Sequence, residues 1–331
     1  MSSLTPKQQR IAKERLVYGS GDSLFGHIEK LQGTRPFGSF LDAGTGLHSL
    51  RWIATLGGEY DEDGEKNMTD FTAVTADETM RRNVQREADE LGISHLGRVV
   101  IGNWFPPDND DRQSLLSIDN EIDSGETAAA AEGRATKLYD TILADYLIGA
   151  MAGFPPGHFS QDQMIEKLAR RLKPGGRLYI VGLQPIPDVY DAKNPGAPQN
   201  IICKVRQVRD ACILLAGDRC YREYPKDWIE RQVDRLAAGT AAPRLKHIDS
   251  KEFPILYRHT TIVKQINVAR HKLPRFPSRA LANEMKKTLD DLEQQSYAAT
   301  EKIQRGRRIE LGFDYVVTAE RVDFEDESSE N

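Results

Sequence analysis

Phe40-Leu41-Asp42-Ala43-Gly44-Thr45-Gly46-Leu47-His48 reads as a buried strand that breaks into a glycine turn and continues as a helix. The two glycines let backbone approach a ligand with no Cβ in the way, and the helix that follows starts with unpaired N–H groups. Such a turn binds adenosine-type cofactors. It also occurs as plain strand-to-helix punctuation in α/β proteins, so its meaning depends on the pieces around it.

Upstream, Ile11, Leu16, Phe25, Ile28 and Leu31 are spaced as in helices on either side of Gly19-Ser20-Gly21, which predicts two N-terminal helices. Ser39 to Ala43 forms the first strand. Leu47 to Leu56 forms the helix after the turn, with Leu47, Leu50, Ile53 and Ala54 on one face. The pattern then repeats. Phe71-Thr72-Ala73-Val74 reads as a second strand, Asp77 as the N-cap of a helix running to Leu91, and Arg98 to Ile101 as a third strand.

Residues 106–137 interrupt the rhythm with Asp108-Asn109-Asp110-Asp111 and the run Ala128 to Ala131, and are expected to form a mobile acidic insertion. Leu138 to Ala144 is the fourth strand. A helix with Met164, Ile165, Leu168 and Leu172 on one side then leads through Lys173-Pro174-Gly175-Gly176 into a fifth strand, Arg177 to Val181. Beyond a proline-rich loop, Pro185 to Pro198, the pattern predicts helices around Ile201 to Leu215 and Lys226 to Leu236, and a strand at Lys246 to Phe253. A long helix from about Ser278 to Arg305 precedes a final strand, Phe313 to Ala319. The acidic tail, Asp323 to Asn331, is expected to be disordered. Strands alternating with helices at this spacing predict an α/β fold built on a parallel, doubly wound sheet with helices on both faces.

Composition narrows the function classes. Of 331 residues, 39% are hydrophobic and 29% charged, the mixture of a globular protein, and the net charge of −5 argues against a dedicated nucleic-acid binder. Cys203, Cys212 and Cys220 are an odd set without a CxxC pair, which favours reduced thiols over disulfides or a metal site. The start, Met1 to Lys7, is polar and lacks the apolar core of a signal peptide, and no run approaches the ~18 apolar residues of a membrane span. A cytoplasmic protein without metal or membrane partner is expected.

In order, these pieces resemble a class I S-adenosylmethionine-dependent methyltransferase, of the seven-stranded, Rossmann-like kind. The resemblance covers about Phe37 to Val181 and recovers two more strands near the C-terminus. Asp42, Gly44 and Gly46 match the family's acidic residue and Gly-x-Gly, with His48 where many members carry a third glycine. Leu168 to Leu178, with its Pro-Gly-Gly turn, is similar to the family's helix and turn entering strand five. The resemblance implies a mostly parallel seven-stranded sheet with extra N-terminal and C-terminal helices. The implied layout is a helical cap over 1–36, a methyltransferase domain over 37–321 and an acidic tail over 322–331. Within that domain, 106–137 is the insertion and 184–310 a helical elaboration on the substrate side.

The resemblance also assigns roles along the edge where the strands end. Asp42 would hold the methionine ammonium directly or through water, with Ala43, Gly44, Thr45 and Gly46 admitting the cofactor against backbone; the alternative for Asp42 is a helix or turn cap. At the end of strand two the family presents a carboxylate to both ribose hydroxyls. Here Thr75 makes only part of that contact, helped by the Ala76 backbone, and Asp77 is either a substitute or a helix cap. Asn103 stands where an acidic residue faces the adenine amine, and Trp104 packs either on adenine or in the core. Strand four ends Ala144-Asp145-Tyr146, where the family places the reacting centre. Some amine methyltransferases carry Asp/Asn-Pro-Pro-aromatic there, and this chain lacks both prolines. Asp145 is the candidate to accept a proton, orient a cationic substrate or cap a loop, and Tyr146 to wall the pocket.

The implied reaction is in-line attack by a nucleophile on the sulfonium methyl of S-adenosylmethionine, leaving S-adenosylhomocysteine. A small-molecule acceptor is expected. A protein side chain is the alternative if the insertion and C-terminal helices form an extended groove, and a non-catalytic cofactor-binding scaffold is the alternative raised by Thr75 and Asn103. Acceptor selection is expected from the N-terminal helices and the segment between strands five and seven. That segment holds Tyr221, Tyr224, Trp228, Tyr257, His259 and His271, with Glu223 and Asp227 to complete a cation-binding cluster; the plainer reading is packing. Lys264, Arg270, His271, Lys272 and Arg275 form a basic stretch that faces either an anionic substrate or solvent.

Overall fold

The computed structural model describes residues 22–57, 67–105, 137–154, 157–238, 243–303 and 308–322. The helix expected before Gly19, the bulk of the acidic insertion and the C-terminal tail lie outside the described residues. In chain order the first half holds α1 (Ser23–Gln32), β1 (Gly38–Asp42), α2 (Leu47–Leu56), β2 (Met68–Thr75), α3 (Glu78–Leu91), β3 (Gly97–Ile101), β4 (Tyr139–Asp145), a short α4 (Leu147–Ala150), α5 (Gln161–Arg170) and β5 (Leu172–Leu183). There follow α6 (Gln199–Leu215), α7 (Lys226–Ala238), β6 (Arg244–Arg258), α8 (His259–Arg270), α9 (Arg279–Glu301) and β7 (Arg308–Val322).

The strands hydrogen-bond in the order β3-β2-β1-β4-β5-β7-β6, and the sheet is mostly parallel with one antiparallel hairpin. All four neighbouring pairs from β3 to β5 are parallel, so the C-terminal ends of these five strands share one edge. The chain moves outward from β1 to β3 and then returns to place β4 on the other side of β1. Right-handed crossovers therefore put α2 and α3 on one face and α5 on the other. The reversal leaves a crevice beyond the ends of β1 and β4, where open α/β sheets take their ligands.

Local chemistry fixes the elements around that crevice. Every residue of β1 is buried, as expected of a central strand covered on both faces. Asp22 caps α1 by accepting from the Leu24 N–H at 2.8 Å and the Phe25 N–H at 3.1 Å. Phe25 then stacks on Trp52 of α2 at 4.5 Å, and the Trp52 indole N–H donates to Glu29 at 2.9 Å. Phe37 and Phe40 meet the same indole edge-on, so one aromatic cluster ties α1, α2 and β1 together beneath the glycine turn. In α3, Val84, Ala88 and Leu91 are buried at helical intervals, and Gly92, at φ 72°, closes the helix with its N–H on the Ala88 and Asp89 carbonyls.

The Pro-Gly-Gly segment differs from a simple turn before a strand. Leu172 already pairs with Tyr139, and the next pair is Thr141 with Arg177, so the intervening residues bulge out of β5. Gly175 has φ +74°, and a Cβ at Gly176 would lie 2.9 Å from the Lys173 carbonyl oxygen and 3.0 Å from that of Tyr139. Both glycines are required where the bulge folds against β4.

Two compact units divide the chain. The first takes the described residues to Gly182, with Tyr224–Lys251 and the chain from Tyr315 onward, and it contains the edge formed by the ends of β1 to β4. The second consists of Leu183–Glu223 and Glu252–Asp314. Its core is built from α6, α8 and α9, through residues such as Ile202, Val205, Ile262, Ile266, Leu289 and Leu292. Sequence reasoning does not delimit α8, whose buried Ile262, Ile266 and Ala269 are diluted by polar neighbours and which follows β6 with no glycine or proline between them.

Candidate active site

The end of β1 carries a buried, unsatisfied charge. Asp42 is fully buried and neither carboxylate oxygen has a hydrogen-bond partner in the protein. Two hydroxyls stand nearby but are engaged elsewhere: Thr45 Oγ1 donates to the Asp42 main-chain carbonyl at 3.1 Å, and Ser49 Oγ donates to the Gly46 carbonyl at 3.1 Å. Burial pushes the Asp42 carboxyl up to about 6; Ser49, Thr45 and the Gly44 N–H hold back part of the rise by their proximity, although none reaches hydrogen-bond geometry with either oxygen. Such a carboxylate is poised for a cationic N–H donor that the chain itself does not supply.

The turn above it is anchored on both sides. The Ala43 N–H donates to Leu143 of β4 at 2.9 Å and the Thr45 N–H to Val74 of β2 at 2.7 Å. A Cβ at Gly44 would sit 3.0 Å from Leu147 Cδ1, whereas one at Gly46 would meet nothing within 4 Å. The turn is thus closed by α4 over Gly44 and open at Gly46, the N-cap of α2.

The ends of β2 and β3 are more self-contained. Thr75 is 2% exposed and its hydroxyl donates to the Val100 carbonyl at 3.3 Å, while Ala76 beyond it is exposed. Asp77 accepts from the Met80 N–H at 2.8 Å, the geometry of a helix cap. Asn103 Oδ1 accepts from the Phe105 N–H at 3.0 Å. Trp104 is 5% exposed, and its indole N–H donates to the Ala43 carbonyl at 2.9 Å, bracing the β1 turn from the end of β3. Replacing Asp77 with alanine should lower stability by about 1 kcal/mol and leave S-adenosylhomocysteine affinity unchanged. A chemical denaturation curve and a binding titration on the same preparation check both halves, and lost affinity would return Asp77 to the ribose.

At the end of β4, Ala144 is fully buried and Asp145 is half-buried. Tyr146 is the one non-glycine residue with positive φ among the described residues, at 50°. Its N–H donates to Val181 of β5 at 3.1 Å and its carbonyl accepts from Ala150 at 3.0 Å, so neighbouring elements hold the left-handed backbone in place. Strain of this kind, about 1–3 kcal/mol, concentrates at functional positions.

Sequence reasoning treats His48 only as a missing glycine. In the folded chain its Nε2 lies 3.4 Å from Asp22 Oδ2 and its ring meets Phe25 edge-on at 5.1 Å. The contact with Asp22 raises the imidazole pKa; burial opposes this, the charge of Asp145 adds to it and Arg51 subtracts from it. The only sequence signal was a titratable residue at the start of a cofactor-type helix. Because the folded value is raised, the pair's stabilising contribution is fully present below the ordinary 6.5 and fades as pH rises through the folded value. Asp22→Asn keeps the helix cap and should lower the His48 pKa, which an NMR titration of the imidazole resonances measures; an unchanged pKa would disprove the coupling.

The acceptor-side candidates are divided between the units. Tyr224 and Trp228, 4.6 Å apart, belong to the first. Tyr221, Glu223, Tyr257, His259 and His271 belong to the second, where His259 Nδ1 contacts Ser296 Oγ at 2.9 Å and its ring meets Tyr297. Three cations of the basic stretch are neutralised inside the second unit. Arg270 pairs with Asp290 and Glu293, and Lys272 and Arg275 share Asp218, so these three do not form an open anion-binding face. Among the described residues, no group of three or more His, Cys, Asp or Glu is placed to hold a metal ion, and no helix is long and apolar enough to cross a membrane.

No family model and no curated protein matches the chain. Solved structures do. The chain is similar to the YcgJ protein of Bacillus subtilis at 15% identity, over 91% of this chain and 98% of that one, with a TM-score of 0.45. It is similar to YjhP of E. coli at 13% identity, over 95% and 100%, with a TM-score of 0.43. A S-adenosylmethionine-dependent methyltransferase of Geobacter sulfurreducens, crystallised with S-adenosylhomocysteine, matches at 12% identity over 96% and 99%, with a TM-score of 0.42.

Proposed function

We propose that the chain is a methyltransferase that holds S-adenosylmethionine at the end of β1 and passes its methyl group to a small-molecule acceptor. One observation carries the reading: Asp42, fully buried with both carboxylate oxygens unpartnered, directly under a glycine turn at the point where strand order reverses. A cationic amine is the chemistry that site lacks. The methionine ammonium would meet it there, with Gly44 and Gly46 giving the rest of that moiety access to backbone.

When bound, the cofactor supplies an electrophilic sulfonium methyl, and the protein's work is to bind, orient and exclude water. Asp42 fixes the amino-acid end by charge. Trp104, hydrogen-bonded to Ala43, keeps the turn from shifting as it is loaded. The adenosine end relies less on side chains, because the Asn103 carbonyl is engaged by backbone and the Thr75 hydroxyl already donates to Val100. Thr75 Oγ1 retains acceptor capacity, and the exposed Ala76 backbone lies beside it. On the acceptor side, Asp145 orients a nucleophile or takes its proton, and Tyr146, held in its strained backbone, forms a wall of the pocket.

Calorimetric titration with S-adenosylhomocysteine tests the cofactor half, and no heat of binding at millimolar ligand would refute it. Labelled-methyl transfer into a metabolite extract, run beside a protein fraction, tests the acceptor half. Label in small molecules supports the reading, and label confined to protein assigns a side-chain acceptor instead.

A further inference from the structure

The second unit encloses a cavity of about 80 Å³. Ile186, Ile202, Val205 and Ile262, all buried, supply much of its wall. One ordered water needs only about 10–15 Å³ of such space and two to four polar partners, so this cavity is several waters in size but mostly apolar. Cavities of that character suit an organic molecule better than a water cluster.

Its polar lining is unbalanced. Tyr257 is 8% exposed, and its hydroxyl makes no hydrogen bond with a described residue. Burial pushes the phenol up to about 12, so it is a protonated donor at any physiological pH. Arg206 also lines the cavity; its Nε is buried without a partner, although its terminal nitrogens lie 2.9 Å from Asp188 and 4.0 Å from Asp210. Glu223 faces the same space and pairs with no cation among the described residues. An unpaired buried donor costs about 1–3 kcal/mol, so the buried Arg206 Nε–H, beside a phenol hydroxyl that also has no partner among the described residues, calls for an acceptor from outside the chain. That acceptor need not be charged. Arg206 has its carboxylates, Arg209 is held by Asp210 and Gln265, and Glu223 repels an anion.

We propose that this cavity binds a small neutral molecule with a branched aliphatic body and an amide-like head, its oxygen accepting from Tyr257 and Arg206 and its N–H donating to Glu223. The site is independent of the methyl-transfer reading. Isobutyramide is the probe, titrated into the full chain carrying labelled isoleucine methyl groups, with isobutyrate as the anionic counterpart. The resonances of Ile186, Ile202 and Ile262 shift saturably with a Kd of about millimolar, in keeping with six heavy atoms, while those of Ile28 and Ile53 in the first unit stay in place. Tyr257→Phe weakens binding about fivefold or more without lowering thermal stability, and Val205→Phe fills the cavity and abolishes it. Absence of saturable shifts at the three methyls overturns the site, as does binding that Tyr257→Phe leaves unchanged. Isobutyrate binding as tightly as the amide overturns the neutral class. If Val205→Phe does not fold, the Tyr257→Phe comparison decides alone.

Discussion

Asp42→Asn is expected to cost about a hundredfold or more in S-adenosylhomocysteine affinity and, in the same protein, to raise folding stability. Both effects come from one buried charge. Removing one partner of a buried, hydrogen-bonded ion pair costs about 2–5 kcal/mol of binding. Without ligand, the same carboxylate is a liability. Its pKa is raised from 3.8 to about 6, so the native state holds that proton more tightly than the unfolded chain does. The stabilisation from the protonated form is complete below 3.8 and is lost as pH rises through about 6. At neutral pH this amounts to about 3 kcal/mol against folding. Asparagine removes the charge but brings its own unsatisfied amide, about 1–3 kcal/mol, so the net gain is about 0–2 kcal/mol. Thermal unfolding and calorimetry on one sample read the two changes together. A variant that lost both stability and affinity would show Asp42 to be a structural residue.

Asp145→Ala should separate turnover from binding. Asp145 ends β4 opposite Val181, half-buried, and its charge reaches His48. If it orients or deprotonates the acceptor, its removal costs about a hundredfold or more in kcat, with S-adenosylhomocysteine affinity nearly unchanged. The pH profile should move as well, because His48 loses one of the two charges that raise its pKa. Equal loss of affinity and turnover would transfer Asp145 to the cofactor. Unchanged turnover would leave it no role in the reaction.

The parts of this site that sequence could reveal are those governed by local rules. The helix Leu47–Leu56 is legible because a glycine turn starts it and apolar residues recur on one face, and Asp77 is legible as a cap because its side chain answers to residues three positions on. That β1 to β5 build one parallel sheet follows from alternation, whereas their order β3-β2-β1-β4-β5 is what the family resemblance implies. What the sequence conceals depends on distant partners. Nothing around Trp104 announces that its indole reaches Ala43, sixty-one positions earlier, and nothing around His48 announces Asp22. β6 and β7 are longer than their apolar stretches suggest, because their outer residues pair in the sheet while remaining polar and partly exposed. The unsatisfied state of Asp42 is equally invisible, since Thr45 and Ser49 look like its partners until the fold turns both hydroxyls to backbone.

The most direct test of the central claim, that Asp42 waits for the cofactor's ammonium, is the pH dependence of S-adenosylhomocysteine affinity in the unmodified protein. Binding requires the ionised carboxylate, so affinity should be flat above pH of about 6 and fall about tenfold per pH unit below it, with proton release on binding at acid pH. Affinity that stays constant from about pH 8 down to about pH 5, or a titration with no binding at either end, would contradict the account.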